Sequence, residues 1–167
     1  MEGDTMSSFR ESISIDAAPS VVWSAISDIQ RHPEFGGPKS ITKAIEFDGN
    51  LTVGGRWIAH ERVGPQKFDA PSEITAVEPG RTLEWVSFPP MKEDNRGTGG
   101  KVVWGYLVEP EGVGTRLTHH MTVLEPRKGA GMLKTMYAVF GLPKKQRAGG
   151  LTTLSNIKAA AEQVTNN

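Results

Sequence analysis

The sequence contains no cysteine, which excludes disulfides, thiolate nucleophiles and cysteine-ligated metals. An excess of one charge is missing as well. Its 19 basic residues balance 19 acidic ones, so no global field draws the chain toward nucleic acid or anionic lipid. No apolar run approaches the ~18 residues of a membrane span, and Met1 to Ser8 lacks the basic-then-apolar order of a secretory signal. Internal repeats and low-complexity tracts are also absent. These absences predict a soluble, cytoplasmic protein without a nucleic-acid partner. A chain of 167 residues suits one domain with a substantial core. The expected organisation is a disordered tail over residues 1–8 and a single domain over residues 9–164, as a monomer or homodimer.

What is present is a C-terminal stretch with helical periodicity. Leu133, Met136, Tyr137 and Phe140 fall at i, i+3, i+4 and i+7, and Leu151, Leu154, Ile157, Ala161 and Val164 continue a three-to-four-residue spacing. Between these halves stand Gly141 and Pro143, then Gly149 and Gly150. Proline inside a helix costs roughly 3 kcal/mol and glycine about 1 kcal/mol relative to alanine. One long helix with a kink or short break near Gly141 to Lys145 is therefore predicted.

Upstream, Phe9 to Asp16 alternates as a half-buried strand does, with Glu11 at one inward position. Pro19 opens a short helix carrying Val22, Ala25, Ile26 and Ile29, and Arg31 to Phe35 forms a further turn before Gly36-Gly37-Pro38. Six more strands follow, separated by turn signals such as Asp48-Gly49, Glu78-Pro79-Gly80 and Glu111-Gly112. The strand from Val102 to Glu109 is apolar on both faces, the pattern of a strand covered twice. Pro89 to Gly100 reads as a long, glycine-rich, charged loop.

The order of elements and particular residues resembles the START/Bet v1-like (SRPBCC) helix-grip superfamily, in its polyketide cyclase/dehydrase and lipid-transport branch. The likeness rests on Ala18-Pro19-Ser20-Val21-Val22-Trp23, on Asp28 to Phe35, and on Val53-Gly54-Gly55-Arg56-Trp57. It continues in Glu78 to Trp85 and in Gly114-Thr115-Arg116-Leu117-Thr118. The resemblance implies an α+β helix-grip fold: a curved seven-stranded antiparallel sheet wrapped around a long C-terminal helix, two short helices between strands 1 and 2, and an apolar cavity beneath. Members bind lipids, sterols, polyketides or plant hormones, and a minority catalyse cyclisation or dehydration. No shared catalytic signature transfers to this sequence, so fold alone does not make it an enzyme.

Alternation places Trp57, Glu61, Leu83, Trp85, Leu117, His119 and Met121 toward the interior, with Trp104 and Tyr106 beside them and Met132, Met136, Tyr137 and Phe140 opposite. Apolar and aromatic residues with a few polar groups are the composition of a small-molecule pocket, although an ordinary filled core has it too. Glu61 and His119 are ionisable groups on otherwise apolar faces, where an unpartnered charge is costly. They are candidates to pair with each other, to orient a ligand, or to act as acid and base with Tyr106. A solvated position near a strand end is the plain alternative.

Metal and nucleotide cofactors are not expected. His60-Glu61 lacks the second histidine of a zinc protease helix, since Gly64 stands there. His119 and His120 point to opposite faces of a strand. Gly97 to Lys101 lacks both the first glycine and the Ser or Thr of a phosphate loop. The basic run Lys144-Lys145-Gln146-Arg147 suits an anionic head group or membrane surface, but in a neutral protein it reads first as a solvated face. The leading expectation is binding of a hydrophobic small molecule, a lipid, polyketide or similar ring compound, entered near the Pro89 to Gly100 loop and the Gly141 kink. The alternatives are a cyclase/dehydrase-type enzyme using the same cavity, and a regulatory protein that docks a ribosome or protein partner.

Overall fold

Alternating apolar residues produce seven antiparallel strands, which pair in the order β1-β7-β6-β5-β4-β3-β2. They are β1 (Thr5–Ile15), β2 (Thr42–Phe47), β3 (Arg56–Val63), β4 (Gln66–Glu78), β5 (Thr82–Ser87), β6 (Lys101–Glu111) and β7 (Gly114–Leu124). The computed structural model describes residues 5–88, 100–125 and 130–166. The predicted Pro89 to Gly100 loop and the entrance assigned to it therefore lie, but for Gly100, outside the described residues. Tight hairpins close at Gly64 (φ 56°) and Gly112 (φ 61°), in the left-handed region where a side chain is strained.

Between β1 and β2 the chain forms α1 (Pro19–Ser27), a 3-10 turn over Ile29–Arg31 and α2 (His32–Phe35). Pro19 begins α1 where a missing N–H costs nothing, and α1 buries Val22, Ala25 and Ile26. The C-terminal region is two helices, α3 (Ala130–Val139) and α4 (Leu142–Thr165). The predicted break falls at Gly141, which adopts φ 59° and caps α4, and Pro143 then occupies the first turn of α4 without interrupting it.

Three sequence expectations need correction. Residues 5–8, assigned to a disordered tail, belong to β1, because β7 is long enough to pair Thr5 with Leu124 and Ser8 with Thr122. The stripe of α4 is Gly150, Leu154, Ile157 and Ala161 rather than one through Leu151 and Val164, which are 43% and 65% exposed. Gly150 replaces Leu151 because the Phe9 ring lies where its Cβ would be, at 2.5 Å. β6 is not masked on both sides by helices: Trp104 and Tyr106 face them, whereas Val103 and Leu107 on the other face are half-buried among neighbouring strands, with the His120 ring over Gly105.

β4 runs from Gln66 through Pro71, a residue that cannot donate to a ladder. Pro71 is tolerated because Ser72 pairs with Ser87, the last residue of β5, so Pro71 lies beyond that strand's end. The core gathers at one end of the grip. There Leu154, Ile157 and Ala161 of α4 pack with Ile15, Val22, Ile26, Ile74, Leu83, Val108 and Leu117. Further along, α4 is fastened to β1 by polar contacts instead: Arg147 pairs with the inward Glu11, and Ser7 donates to Gln146 at 3.0 Å. Apolar filling thus stops about midway along α4.

Candidate functional site

Where the filling stops, a cavity of about 450 Å³ opens between the sheet and α3 and α4. That volume falls in the range of about 300 to 1,000 Å³ typical for small-molecule sites. A second hollow of about 510 Å³ lies at the β2–β3 edge around Asp48, Arg56 and Ile58, but it is shallow. Its polar groups are also spent internally: Asp48 accepts from the Asn50 and Arg56 amides, and Arg56 pairs with Glu73 at 2.9 Å. The cavity beneath the terminal helices is the candidate site.

Its wall is aromatic and spans the sheet. Trp57 on β3 meets Trp85 on β5 at 5.7 Å between ring centres, and Trp85 stacks on its cross-strand partner Trp104 at 6.3 Å and 12°. Tyr106 lies 5.6 Å from Trp85 and 4.5 Å from His119. Alternation requires this continuity, because residues two apart on each strand face the same side. Aromatic pairs of this kind contribute about 0.5–1.5 kcal/mol beyond burial.

The polar groups sit in two places. At the inner end, His119 donates from Nδ1 to the Gly105 carbonyl at 3.0 Å, which leaves Nε2 as an acceptor. Burial pushes its pKa down to about 4, so the ring is neutral at pH 7. Burial raises the pKa of Tyr106, with no hydrogen bond offsetting it, so its hydroxyl remains protonated. His32 completes this end: it donates from Nε2 to the Ile26 carbonyl at 2.7 Å and meets Trp85 and Tyr106 at 5.5 and 5.8 Å. Its pKa is also lowered, chiefly by burial. Toward the β2–β3 side stands Glu61, whose pKa burial raises while a long 3.4 Å hydrogen bond from Thr42 opposes the shift. Ser72 and Ser87, hydroxyl to hydroxyl at 2.7 Å, mark the wall between.

Of the residues picked from sequence, Trp57, Glu61, Trp85, Trp104, Tyr106, His119 and Tyr137 line this cavity. Leu83, Leu117 and Met121 share the inward face but are fully buried, Leu83 and Leu117 in the cluster packed by α4 and Met121 in a second cluster with Phe9 and Val123. Met132, Met136 and Phe140 are 73%, 42% and 57% exposed. The break at Gly141 lets α3 turn away from the sheet, and among the described residues of that helix Tyr137 lines the cavity. Glu61 and His119 do not pair: three strands separate β3 from β7, and their partners are Thr42 and Gly105. Sequence reasoning missed His32, because a four-residue helix has no readable period. It also missed Ser72 and Ser87, although they share the inward alternation of Ile74 and Trp85.

The sequence model of a family described as polyketide cyclase / dehydrase and lipid transport matches residues 6–143. No curated protein sequence matches the chain significantly. Among solved structures, TTHA0849 from Thermus thermophilus is 16% identical, with 94% of this chain and 98% of that one covered, at a TM-score of 0.66. Ara h 8.0201 is 15% identical over 93% and 97% of the two chains, at 0.63. The di-domain ARO/CYC StfQ from the steffimycin biosynthetic pathway is 13% identical at 0.69, covering 96% of this chain and 52% of that longer one. At such identities the likeness is one of fold: an antiparallel sheet closed over a C-terminal helix.

Proposed function

Since the chain belongs to the polyketide cyclase / dehydrase and lipid transport family, we propose that it binds a hydrophobic, ring-bearing small molecule in the cavity between sheet and terminal helices. One observation carries this reading: Trp57, Trp85, Trp104 and Tyr106, at the edge of the packed core, border a volume of about 450 Å³ that the described side chains leave open. Flat π-faces favour a planar ligand. At the inner end the Tyr106 hydroxyl is a donor and His119 Nε2 an acceptor. A ligand with a carbonyl and a hydroxyl on adjacent positions would satisfy both, at about 0.5–1.5 kcal/mol per hydrogen bond.

A non-catalytic role agrees with the protonation states. General acids and bases work best with pKa values near the operating pH. His119 is instead driven down to about 4 and Tyr106 is driven upward, so both are fixed as neutral hydrogen-bonding groups. Among the described residues Glu61 is the carboxyl of the cavity wall, moved toward neutrality by burial, and a cyclase/dehydrase-type activity would rest on it.

Three of the four tryptophans line the cavity, so intrinsic fluorescence reports occupancy. Titration with hydroxylated polycyclic aromatics should quench it saturably, and Trp85→Ala should weaken binding at least tenfold. Unquenched fluorescence across such a panel, together with no ligand carried through purification in native mass spectra, would refute the binding reading. Turnover of a bound ring compound, lost in Glu61→Gln while affinity persists, would favour the enzymatic alternative.

A further inference from the structure

We propose that α3 and the first turn of α4 form a docking face for an anionic lipid surface, a role independent of which ligand the cavity takes. Met132, Met136, Val139 and Phe140 fall at i, i+4, i+7 and i+8 along α3 and the residue after it, and all four are exposed, Met132 and Val139 to 73%. An apolar stripe of this spacing ordinarily faces a core. Here two contacts on the other side of the helix turn it outward. Lys134 pairs with Glu125 just past β7, and Tyr137 lines the cavity and accepts from Gln146 of α4 at 3.4 Å. Large side chains are thus held toward solvent while Lys134 and Tyr137 attach the helix to the protein.

Charge selects the partner. From Ala130 to Ala161 the charged residues are Lys134, Lys144, Lys145, Arg147 and Lys158, with no acidic residue, although the chain has 19. Lys134, Arg147 and Lys158 are engaged by Glu125, Glu11 and Glu162. Lys144 and Lys145 are exposed and form no ion pair among the described residues. They follow Phe140 within one turn of each other, at the N-terminal end of the 24-residue α4, where the helix dipole adds positive potential. An apolar ridge flanked by unpaired lysines is the pattern of a helix lying in the interface of an anionic bilayer. Among the described residues no helix is long and apolar enough to cross one, so the contact is peripheral.

Sedimentation with vesicles of phosphatidylcholine alone, or mixed with phosphatidylserine, tests this on the full chain. Binding should be at least about tenfold tighter to the mixed vesicles and should weaken as salt is raised. Neutralising Lys144 and Lys145 to Gln should cost roughly fivefold each. Phe140→Ser and Met136→Ser should reduce binding while leaving the thermal midpoint unchanged, since both side chains are already exposed. Three results would overturn the proposal: no sedimentation with either vesicle, equal binding to both, or unchanged binding in folded Phe140→Ser. A dimer in light scattering that Phe140→Ser dissociates would also overturn it, by assigning the ridge to a second copy of the chain.

Discussion

The ring of Tyr106 lies 4.5 Å from the imidazole of His119, its cross-strand partner, at an interplanar angle of 21°. The stack holds a hydroxyl and an unprotonated ring nitrogen side by side on the cavity wall. Gly105 fixes the imidazole by accepting from Nδ1, and a Cβ there would meet His120 Nε2 at 2.3 Å, so a larger residue would displace the His120 ring.

Tyr106→Phe keeps the ring and removes the hydroxyl. Affinity for a hydroxylated aromatic ligand should fall about two- to tenfold, the value of one hydrogen bond. The denaturation midpoint should stay within experimental error, because the hydroxyl has no hydrogen-bond partner among the described residues. Fluorescence titration beside urea unfolding measures both.

His119 makes stability depend on pH. Its folded pKa, about 4, lies below the ordinary 6.5, so the unfolded chain binds more protons between these values. Stability should therefore rise with pH through the window from 4 to 6.5 and level off above it. The contribution at stake is about 3 kcal/mol. His32, with its pKa lowered by burial, adds in the same direction. Urea unfolding at several pH values should show the slope, and His119→Gln should flatten it.

Imidazole resonances followed by NMR should titrate in a definite order. His60, between Asp69 at 2.7 Å and Glu46 at 3.0 Å, has its pKa raised by those hydrogen bonds and should titrate highest. His119 should titrate near 4, and His32, lowered by burial, should also titrate below the ordinary imidazole value.

Adjacent glycines in α4 should respond oppositely to alanine. A Cβ on Gly150 would meet the buried Phe9 ring at 2.5 Å, whereas one on Gly149 has nothing within 4 Å. Gly149→Ala should stabilise by up to about 1 kcal/mol through helix propensity. Gly150→Ala gains the same propensity but carries an overpacking cost of about 1–3 kcal/mol, so its unfolding midpoint should drop.

Glu61→Gln should raise the thermal midpoint at neutral pH. Burial raises the carboxyl's pKa, so ionising it opposes folding above the usual carboxylate range. The gain should vanish in acid, where the native carboxyl is already protonated.

The sequence by itself determined the architecture and most of the aromatic wall. Period-2 alternation puts Trp57, Trp85 and His119 each on the apolar face of its own strand and Trp104 with Tyr106 on one face of theirs, and Gly141 with Pro143 marks the break between two helices. Tertiary structure decided which inward residues meet empty space. Leu83 and Tyr106 are cross-strand partners on one face, yet Leu83 is sealed beneath α4's apolar half and Tyr106 borders the cavity. Local pattern reports only the side to which a residue points. How far a helix stands from that side depends on contacts remote in the chain, such as Phe9 against Gly150 and Glu11 with Arg147. The same distant packing turned Met132, Met136 and Phe140 outward, because an amphipathic period fixes a stripe but not what it faces.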